Sequence, residues 1–227
     1  LSLQETGEPL PAPAKNDPEL KREWAYEGVY RVDRKIPVGY RIGGTSIAAV
    51  SLMRAPGFAG DAARHAAVSG GLAFVCDALN HPLMSVDNYD AGYDVRGWGY
   101  VYALEFLLEL TDPRHGEMFA VLPEDLRARA NTAVAFCIDG IQRTEIPKAG
   151  GWNYARPPGR ETVAPPSTFM TAPTLLVLFE ARKRGHTVDN AVVERAIGAL
   201  ERSRTQAGAF VYACEGRKGR APEPTPG

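Results

Sequence analysis

The sequence predicts an all-α protein built from stacked αα-hairpins, and three observations support that fold class. Helical segments, apolar or amphipathic, alternate with breaks rich in glycine or proline over most of the 227 residues. Two series of these segments recur along the chain, each after about 55 to 70 residues, which is typical of helix-pair repeats. No alternating strand pattern competes with the helical one in the second half of the chain.

Composition places the chain among ordinary globular proteins. It is 44% hydrophobic and 23% charged, which is enough material for one substantial core. The formal net charge is -1, so we expect neither a nucleic-acid partner nor an anionic membrane surface. The three cysteines are far apart and form no metal-ligand pattern, so we expect no metal and no cofactor; they are Cys76, Cys137 and Cys214.

The two ends of the chain differ from its centre. Residues 1–18 hold four prolines and no charged stretch followed by an apolar one, which predicts a flexible lead-in and not a signal peptide. No apolar run approaches the ~20 residues that cross a bilayer, so we expect no membrane span. A processed exported protein stays open, and the compartment is unknown. We predict one helical domain over 19–213 and a flexible tail over 214–227.

Helix boundaries follow from caps, prolines and glycines. Asp17 and Pro18 suit the start of a first helix, and 28–42 reads as irregular. The hydroxyls of Thr45 and Ser46 are placed to cap the second helix. The predicted helices cover 19–27, 47–55, 62–79, 97–110, 123–142, 167–183 and 189–204.

Single residues mark the longer helices. Three polar residues stand where an N-terminal cap is expected: Asp61, Ser167 and Asp189. Gly70 and Gly71 lie inside a predicted helix, where each glycine costs about 1 kcal/mol relative to alanine. Close packing against a neighbouring helix would explain the pair.

The repeat sorts the helices into two series. In the first, 73–79 aligns with 135–141, an offset of 62 residues. In the second, which is more apolar, 52–55 matches both 107–110 and 178–181. We expect the second series to form the inner layer, and the first to keep a solvent-facing side. The glycine turns that follow two first-series helices also align, pairing Trp152 with Phe210 and Tyr154 with Tyr212.

Gln142 followed by Gly150-x-Trp152 resembles the glutamine–tryptophan repeat of the terpenoid (squalene) cyclase and protein prenyltransferase superfamily. Residues 206–210 echo it, and 98–104 resembles the start of an inner helix of that superfamily. The resemblance spans about residues 43–213 and implies an α/α toroid. With about seven helices the ring is incomplete, so it is either open or completed by self-association or a further chain.

The resemblance implies roles for the repeat but carries no activity. In the superfamily, the glutamine amide bonds the ends of neighbouring helices and the tryptophan packs beneath, so Gln142 and Trp152 take stabilising roles. The acidic Asp-x-Asp-Asp motif of the cyclases has no match, since the nearest segment is 86–90. The zinc ligands of the prenyltransferases have no match either. The spacer after Gln142 is longer than the usual repeat.

Candidate site residues cluster before one inner helix. Asp87, Asp90 and Asp94 are the candidate catalytic carboxylates, because acids beside aromatics suit acid/base chemistry on a sugar or calcium binding. The structural alternative is that Asp94 caps the helix and the others solvate a loop. The candidate ligand-binding residues are Arg96, Trp98, Tyr100, Trp152, Tyr154 and Arg156. The alternative is packing between hairpins for Trp152 and Tyr154 and a solvated insert for Arg156.

Two functions compete on this sequence. The first is a ligand-binding or scaffold module whose concave face holds an apolar or extended small-molecule or polymer ligand. The second is a carbohydrate-active lyase or hydrolase on an α/α toroid. The sequence leaves open whether the chain is an enzyme.

Overall fold

The computed structural model describes residue 24 and residues 36–87, 94–153 and 165–212. Across these residues the chain is helical and has no strand, only isolated bridge residues such as the pair Arg204 and Phe210, so the all-α class is confirmed. Apart from Trp24, the predicted helix 19–27 lies outside this part, as do the lead-in and the tail. The helices are α1 (Val38–Arg54), α2 (Ala62–Leu79), α3 (Arg96–Leu110), α4 (Gly116–Val121), α5 (Glu124–Arg143), α6 (Thr168–Lys183) and α7 (Asn190–Arg202).

The helices pack in two layers, as the repeat predicts. Helices α1, α3 and α6, which carry the second series of the repeat, form a first-layer row in which α3 touches both of the others. The expectation that this series is the more apolar one is wrong at α2, which is as apolar as α3 and more apolar than α1 and α6. Helices α2, α5 and α7 form the second layer, and each makes a hairpin with the first-layer helix before it. The short α4 precedes α5 and was not predicted. The stack of three hairpins is therefore observed, while the toroid that the resemblance implies stays a prediction.

The three first-layer helices run in the same direction. Near the starts of α3 and α6, the Trp98 and Phe169 rings stack with centroids 6.3 Å apart. At the other end, Arg54 of α1 pairs with Glu109 of α3 at 2.7 Å, and Arg184 after α6 bonds the end of α3. All three N-termini therefore lie at one end of the row.

Glycines allow α1 and α3 to approach closely. A Cβ on Gly39 would clash with the carbonyl of Val95, and one on Gly99 would lie 3.1 Å from the Gly39 Cα. A Cβ on Gly43 would overlap the indole of Trp98. These positions exclude any side chain, so the glycines set the distance between the first two helices of the row.

Helix α1 is longer than predicted. It begins at Val38, so the expectation that 28–42 is irregular is wrong from that residue on. Thr45 and Ser46 are fully buried inside the helix and do not cap it. The Thr45 hydroxyl instead accepts a hydrogen bond from the Trp24 backbone N–H at 2.9 Å. Packing against α3 outweighs the low helix propensity of the glycines here.

The other caps agree with the sequence. Side-chain oxygens accept from backbone N–H groups of the first turn in three cases: Asp61 from Arg64 at 3.0 Å, Ser167 from Met170 at 3.1 Å, and Asp189 from Ala191 at 2.8 Å. The predicted cap residues of α2, α6 and α7 are therefore confirmed.

Close packing against a neighbouring helix, expected from the sequence, does not explain Gly70. A Cβ built on it would meet nothing within 4 Å, so no neighbouring helix requires a glycine at this position of α2. Gly70 therefore carries the helix-propensity cost of glycine without a packing benefit.

Two alanine substitutions test this contrast. Gly70→Ala should raise the free energy of unfolding by about 0.5–1 kcal/mol, because it removes backbone freedom without a clash. Gly43→Ala should lower it by about 1–3 kcal/mol, because the new methyl overlaps the Trp98 ring. Urea denaturation of both variants and the parent chain measures the two changes. Equal effects at the two sites would contradict the glycine-set approach of α1 and α3.

Candidate functional site

The glycine turn after α5 joins three helices through Gln142 and Trp152. Trp152 is 1% exposed, and its indole N–H donates to the Ile141 carbonyl at 2.8 Å. Its backbone N–H donates to the Thr171 hydroxyl of α6 at 3.0 Å. The Gln142 side-chain oxygen accepts from the Asp189 N–H at the start of α7, at 2.7 Å. The bond expected for the glutamine amide is thus present, and Trp152 serves packing in this structure.

Left-handed backbone makes this turn compact. Gly150 and Gly151 both have φ of 75°, a region where a side chain is strained. A Cβ on Gly150 would clash with the carbonyl of Arg195 in α7, and one on Gly151 would lie 2.7 Å from the Thr171 hydroxyl oxygen. The turn therefore sits directly on α6 and α7, which no side chain larger than hydrogen would permit.

The second glycine turn repeats one backbone hydrogen bond of the first turn but not the burial of its aromatic residue. Thr205 N–H donates to the carbonyl before Phe210, as Ile146 N–H donates to the carbonyl before Trp152. Phe210, however, is 55% exposed, and no described helix follows to cover it. The predicted equivalence of the two aromatic positions therefore holds for the turn and fails for the surroundings of the ring.

The predicted acidic cluster is divided between ion pairs. The Asp87 side chain is 64% exposed and pairs with Arg143 at the end of α5. The Asp94 carboxylate receives the Arg96 guanidinium at 3.0 and 2.9 Å and accepts the Arg96 backbone N–H at 3.1 Å. Asp94 thus bonds the first residue of α3, but the N-cap position is Val95 and has no side-chain cap bond, so the structural alternative holds only in part. Asp90 lies outside the described residues.

The Arg96 side chain, which pairs with Asp94, is buried. Arg96 is 6% exposed, and its guanidinium also donates to the carbonyl of Ser85. A buried arginine needs a compensating charge, which Asp94 supplies. Arg96 therefore fixes the loop before α3 to the start of that helix. Its assignment to ligand binding stays a prediction.

Two candidate aromatics are core residues in this structure. Tyr100 is fully buried, its hydroxyl donates to the Met84 carbonyl, and its ring lies where a Cβ on Gly140 would come within 2.9 Å. Burial raises the pKa of the Tyr100 phenol well above its ordinary value, so it is neutral at physiological pH. Trp98 is 6% exposed and packs on Gly43. Tyr154 and Arg156 lie outside the described residues.

A row of aromatic rings crosses the N-terminal end of the first layer. Its centroids are 6.2 Å apart from Tyr40 to Trp98, 6.3 Å from Trp98 to Phe169 and 6.4 Å from Phe169 to Tyr212. We name Tyr40, Trp98, Phe169 and Tyr212 the aromatic row. Exposure rises along it, from 3% at Tyr40 to 53% at Phe169 and 57% at Tyr212. The row thus has a buried half and an accessible half.

The sequence alignment contained a signal for this row that the site prediction did not use. The match of 107–110 with 178–181 also places Trp98 on Phe169. Repeated aromatics at one position of consecutive inner helices must lie side by side when those helices pack in parallel. The site prediction takes only the residues immediately around the acidic cluster and the first glycine turn.

A second polar cluster lies at the opposite end of the row and was missed by the sequence prediction. Glu109 is 4% exposed, and its carboxylate contacts Arg54 at 2.7 Å and both Arg114 and His115 at 3.2 Å. Asp112 beside it pairs with Arg114 and with Arg184 at 2.9 Å. These contacts connect the C-terminal ends of α1, α3 and α6.

Charges around Glu109 favour its ionised form. Burial raises the pKa of this carboxyl, but hydrogen bonds and charges from Arg54, His115 and Arg114 outweigh burial, so the pKa is lowered. The pKa of Asp112 is lowered further, chiefly by its hydrogen bonds with Arg114. A carboxylate held ionised in this way supports folding and has little tendency to take up a proton near neutral pH.

Acid should therefore weaken the fold through Glu109. A lowered folded-state pKa contributes stability above the ordinary carboxyl range, and that contribution is lost as the pH falls below about 4.5. Glu109→Gln should lower the free energy of unfolding by about 1–2 kcal/mol at pH 7, with the difference shrinking toward pH 3. Urea denaturation at several pH values measures it, with the exposed Glu201→Gln as control. A constant difference across that range would contradict the argument.

Two kinds of feature are absent from the part of the chain that the structure describes: a group of metal ligands and a helix that could span a membrane. Within it, no group of three or more His, Cys, Asp or Glu side chains is arranged to hold a metal ion. None of its helices combines the length and the apolar character required to cross a membrane. Burial raises the pKa of the Cys76 thiol to about 11, so this cysteine is not a thiolate nucleophile at neutral pH.

Comparison of the chain with protein-family models, with curated proteins and with solved structures finds no match. The superfamily resemblance therefore rests on its sequence motif alone and stays a prediction. What the geometry establishes is a stack of three αα-hairpins, with an aromatic row at one end of the first layer and an ion-pair cluster at the other.

Proposed function

We propose that this chain is a ligand-binding or scaffold module that holds an apolar or extended ligand on the first-layer face of its hairpin stack. The aromatic row is the observation that carries the proposal. Its accessible members, Phe169 and Tyr212, are each more than half exposed and continue a line of rings that the core holds in place. Rigid aromatic area of this kind supplies binding energy at a low entropic cost.

The row is built to stay in place without a ligand. Trp98 is fixed by the glycine contact of α1 and α3, and Phe169 stacks on it with an interplanar angle of 20°. Tyr212 stacks on Phe169 at 28°, and its carbonyl accepts from the Thr168 N–H at the start of α6. A preformed apolar surface binds without reordering of its side chains, which favours a binding role.

The carboxylates support a catalytic role less well than the aromatic row supports a binding role. Asp94 is engaged by the buried Arg96, and Asp87 pairs with Arg143. A general acid needs a free approach to its substrate, and each of these carboxylates is already bound by an arginine. The observation that keeps a carbohydrate-active enzyme as the second candidate is the exposure of Asp87, 64% of its side chain.

Removal of the exposed rings tests the binding proposal. Phe169→Ala combined with Tyr212→Ala should weaken binding of a long prenyl alcohol such as geranylgeraniol at least tenfold. The reason is that burying about half of each ring is worth about 1 kcal/mol or more. Isothermal titration calorimetry measures the affinity, with an unstructured apolar peptide as a second probe. Val121→Ala, at a side chain 80% exposed on α4, is the matched control.

Two results would refute the binding proposal. The first is that neither probe binds the parent chain. The second is that both bind the double variant and the parent equally well.

The enzyme alternative has a separate test. Incubation with a panel of acidic and neutral polysaccharides, followed by measurement of reducing ends and of absorbance from unsaturated products, detects hydrolase or lyase activity. If such activity exists, replacing Asp87, Asp90 and Asp94 together with asparagine should abolish it, whereas Asp139→Asn on α5 should not. Activity retained in the triple variant would exclude these carboxylates as the catalytic groups.

A further inference from the structure

Helix α6 carries an apolar stripe that no described residue covers. Leu176 is 69% exposed and Phe179 is 41% exposed, and both lie on one side of the helix with Ala172 and Lys183. The spacing of these four residues repeats every three or four positions, which places them on one face. We name Ala172, Leu176, Phe179 and Lys183 the α6 face.

The repeat identifies what this face corresponds to in the preceding hairpin. The alignment that matches 107–110 with 178–181 places Leu108 on Phe179 and Asp112 on Lys183. In α3 this face is turned toward α6, because Arg184 donates to the Leu108 carbonyl and pairs with Asp112 at 2.9 Å. Glu105, the counterpart of Leu176, pairs instead with Arg54 of α1 at 3.2 Å. The C-terminal part of the α6 face, from Phe179 to Lys183, therefore corresponds to a surface that binds the next helix of the row.

Burial at matched positions supports the same reading. Leu108 of α3 is 1% exposed, and Met53, its counterpart in α1, is 3% exposed. Phe179 occupies the same position in α6 and is 41% exposed. The first two copies are covered by the following first-layer helix, and the third has no following helix among the described residues. An additional helix would continue an interface that the molecule already uses twice.

The start of α6 is partly covered by another residue of this chain. Tyr212 of the second glycine turn stacks on Phe169, near the start of the helix. At the α1 end of the row, Trp24 bonds Thr45 and packs against the core. The uncovered area thus lies mainly on the second half of α6, and it uses residues different from those of the aromatic row.

Charge at the C-terminal end of α6 selects the partner. Each existing junction of the row pairs an arginine with a carboxylate at that end, Arg54 with Glu109 and Arg184 with Asp112. Lys183 stands at the corresponding end of the α6 face, and its side chain is 80% exposed. In the α1–α3 junction the preceding helix supplies the cation, so a carboxylate near the end of an incoming parallel helix would repeat the charge order of that junction.

A second copy of α6 fits less well. Two copies of the face would pair about a twofold axis, either antiparallel or parallel. The antiparallel pair sets Arg182 and Lys183 of one copy against the positive N-terminal end of the other helix, which is unfavourable. The parallel pair sets the two copies of Lys183 beside each other, where like charges repel.

We propose that the α6 face is a docking site for an amphipathic α-helix that packs parallel to α6. The helix presents apolar residues to Leu176 and Phe179 and a carboxylate in its last turn to Lys183. This helix-in-groove mode uses anchors at i, i+3 or i+4, and i+7. The proposal does not depend on the ligand that the aromatic row holds.

A designed peptide tests the site directly. The probe is a fluorescein-labelled, alanine-based helix of about 18 residues with leucines at those anchor spacings and glutamate in its last turn. Fluorescence anisotropy with the full chain should give saturable binding. Leu176→Lys should weaken that binding at least tenfold, while Ile197→Lys, at a 39% exposed position on α7, should leave it unchanged. Lys183→Glu should reverse the preference, so that a matched peptide with lysine in its last turn binds more tightly.

Three results would overturn the proposal. One is that the peptide does not bind the parent chain. Another is equal binding to the parent and to Leu176→Lys, or an affinity that ignores the charge of the last turn. The third is a dimer in sedimentation velocity that Leu176→Lys dissociates, since that would assign the face to a second copy of this chain. Circular dichroism of each variant confirms that the surface substitutions leave the helices intact.

Discussion

The close approach of α1 and α3 is the constraint on which the rest of the architecture depends. Gly39 and Gly99 bring the two backbones together, and Gly43 leaves room for the indole of Trp98. Trp98 in turn stacks on Phe169, so the position of α6 follows from the position of α3. The N-terminal end of the first layer is thus fixed by three residues that have no side chain.

Hydrogen bonds and an ion pair connect the helices of the second layer. Gln142 and the turn that buries Trp152 connect the end of α5 to the starts of α6 and α7. Earlier in the stack, Arg129 of α5 pairs with Asp77 near the end of α2. In both junctions the last part of one second-layer helix meets the first part of the next. Polar contacts therefore set the stagger of this layer, while apolar contacts set the spacing of the other.

Most of the fold could be predicted from the sequence because the signals were local. Asp61, Ser167 and Asp189 cap their helices through bonds within one turn, and each glycine turn is closed by a backbone hydrogen bond to the carbonyl before its aromatic residue. The start of α1 could not be predicted, because glycines that break an isolated helix are required here by a neighbour distant in sequence. Propensity describes the helix alone and is overridden by tertiary packing.

The site was harder to predict for the same reason. Proximity in sequence suggested that Asp87 and Asp94 act together, but each is bound to its own arginine. The Glu109 cluster was not predicted, because its members come from the ends of several helices and become neighbours only after folding. Residues brought together by the parallel row could be predicted only where the repeat register was followed from helix to helix, as for Trp98 and Phe169.

The two glycine turns have a consequence for how chains of this kind can vary in length. The bend at Gly208 keeps its hydrogen bonds although Phe210 remains in solvent, so its backbone does not need a covering helix. Gain of a hairpin after α7 would accordingly require no change in this bend, whereas the bend at Gly150 depends on contacts with α6 and α7. Length differences among related chains should then come in steps of one hairpin, whereas smaller insertions would shift the register of the aromatic row and be confined to the connecting loops.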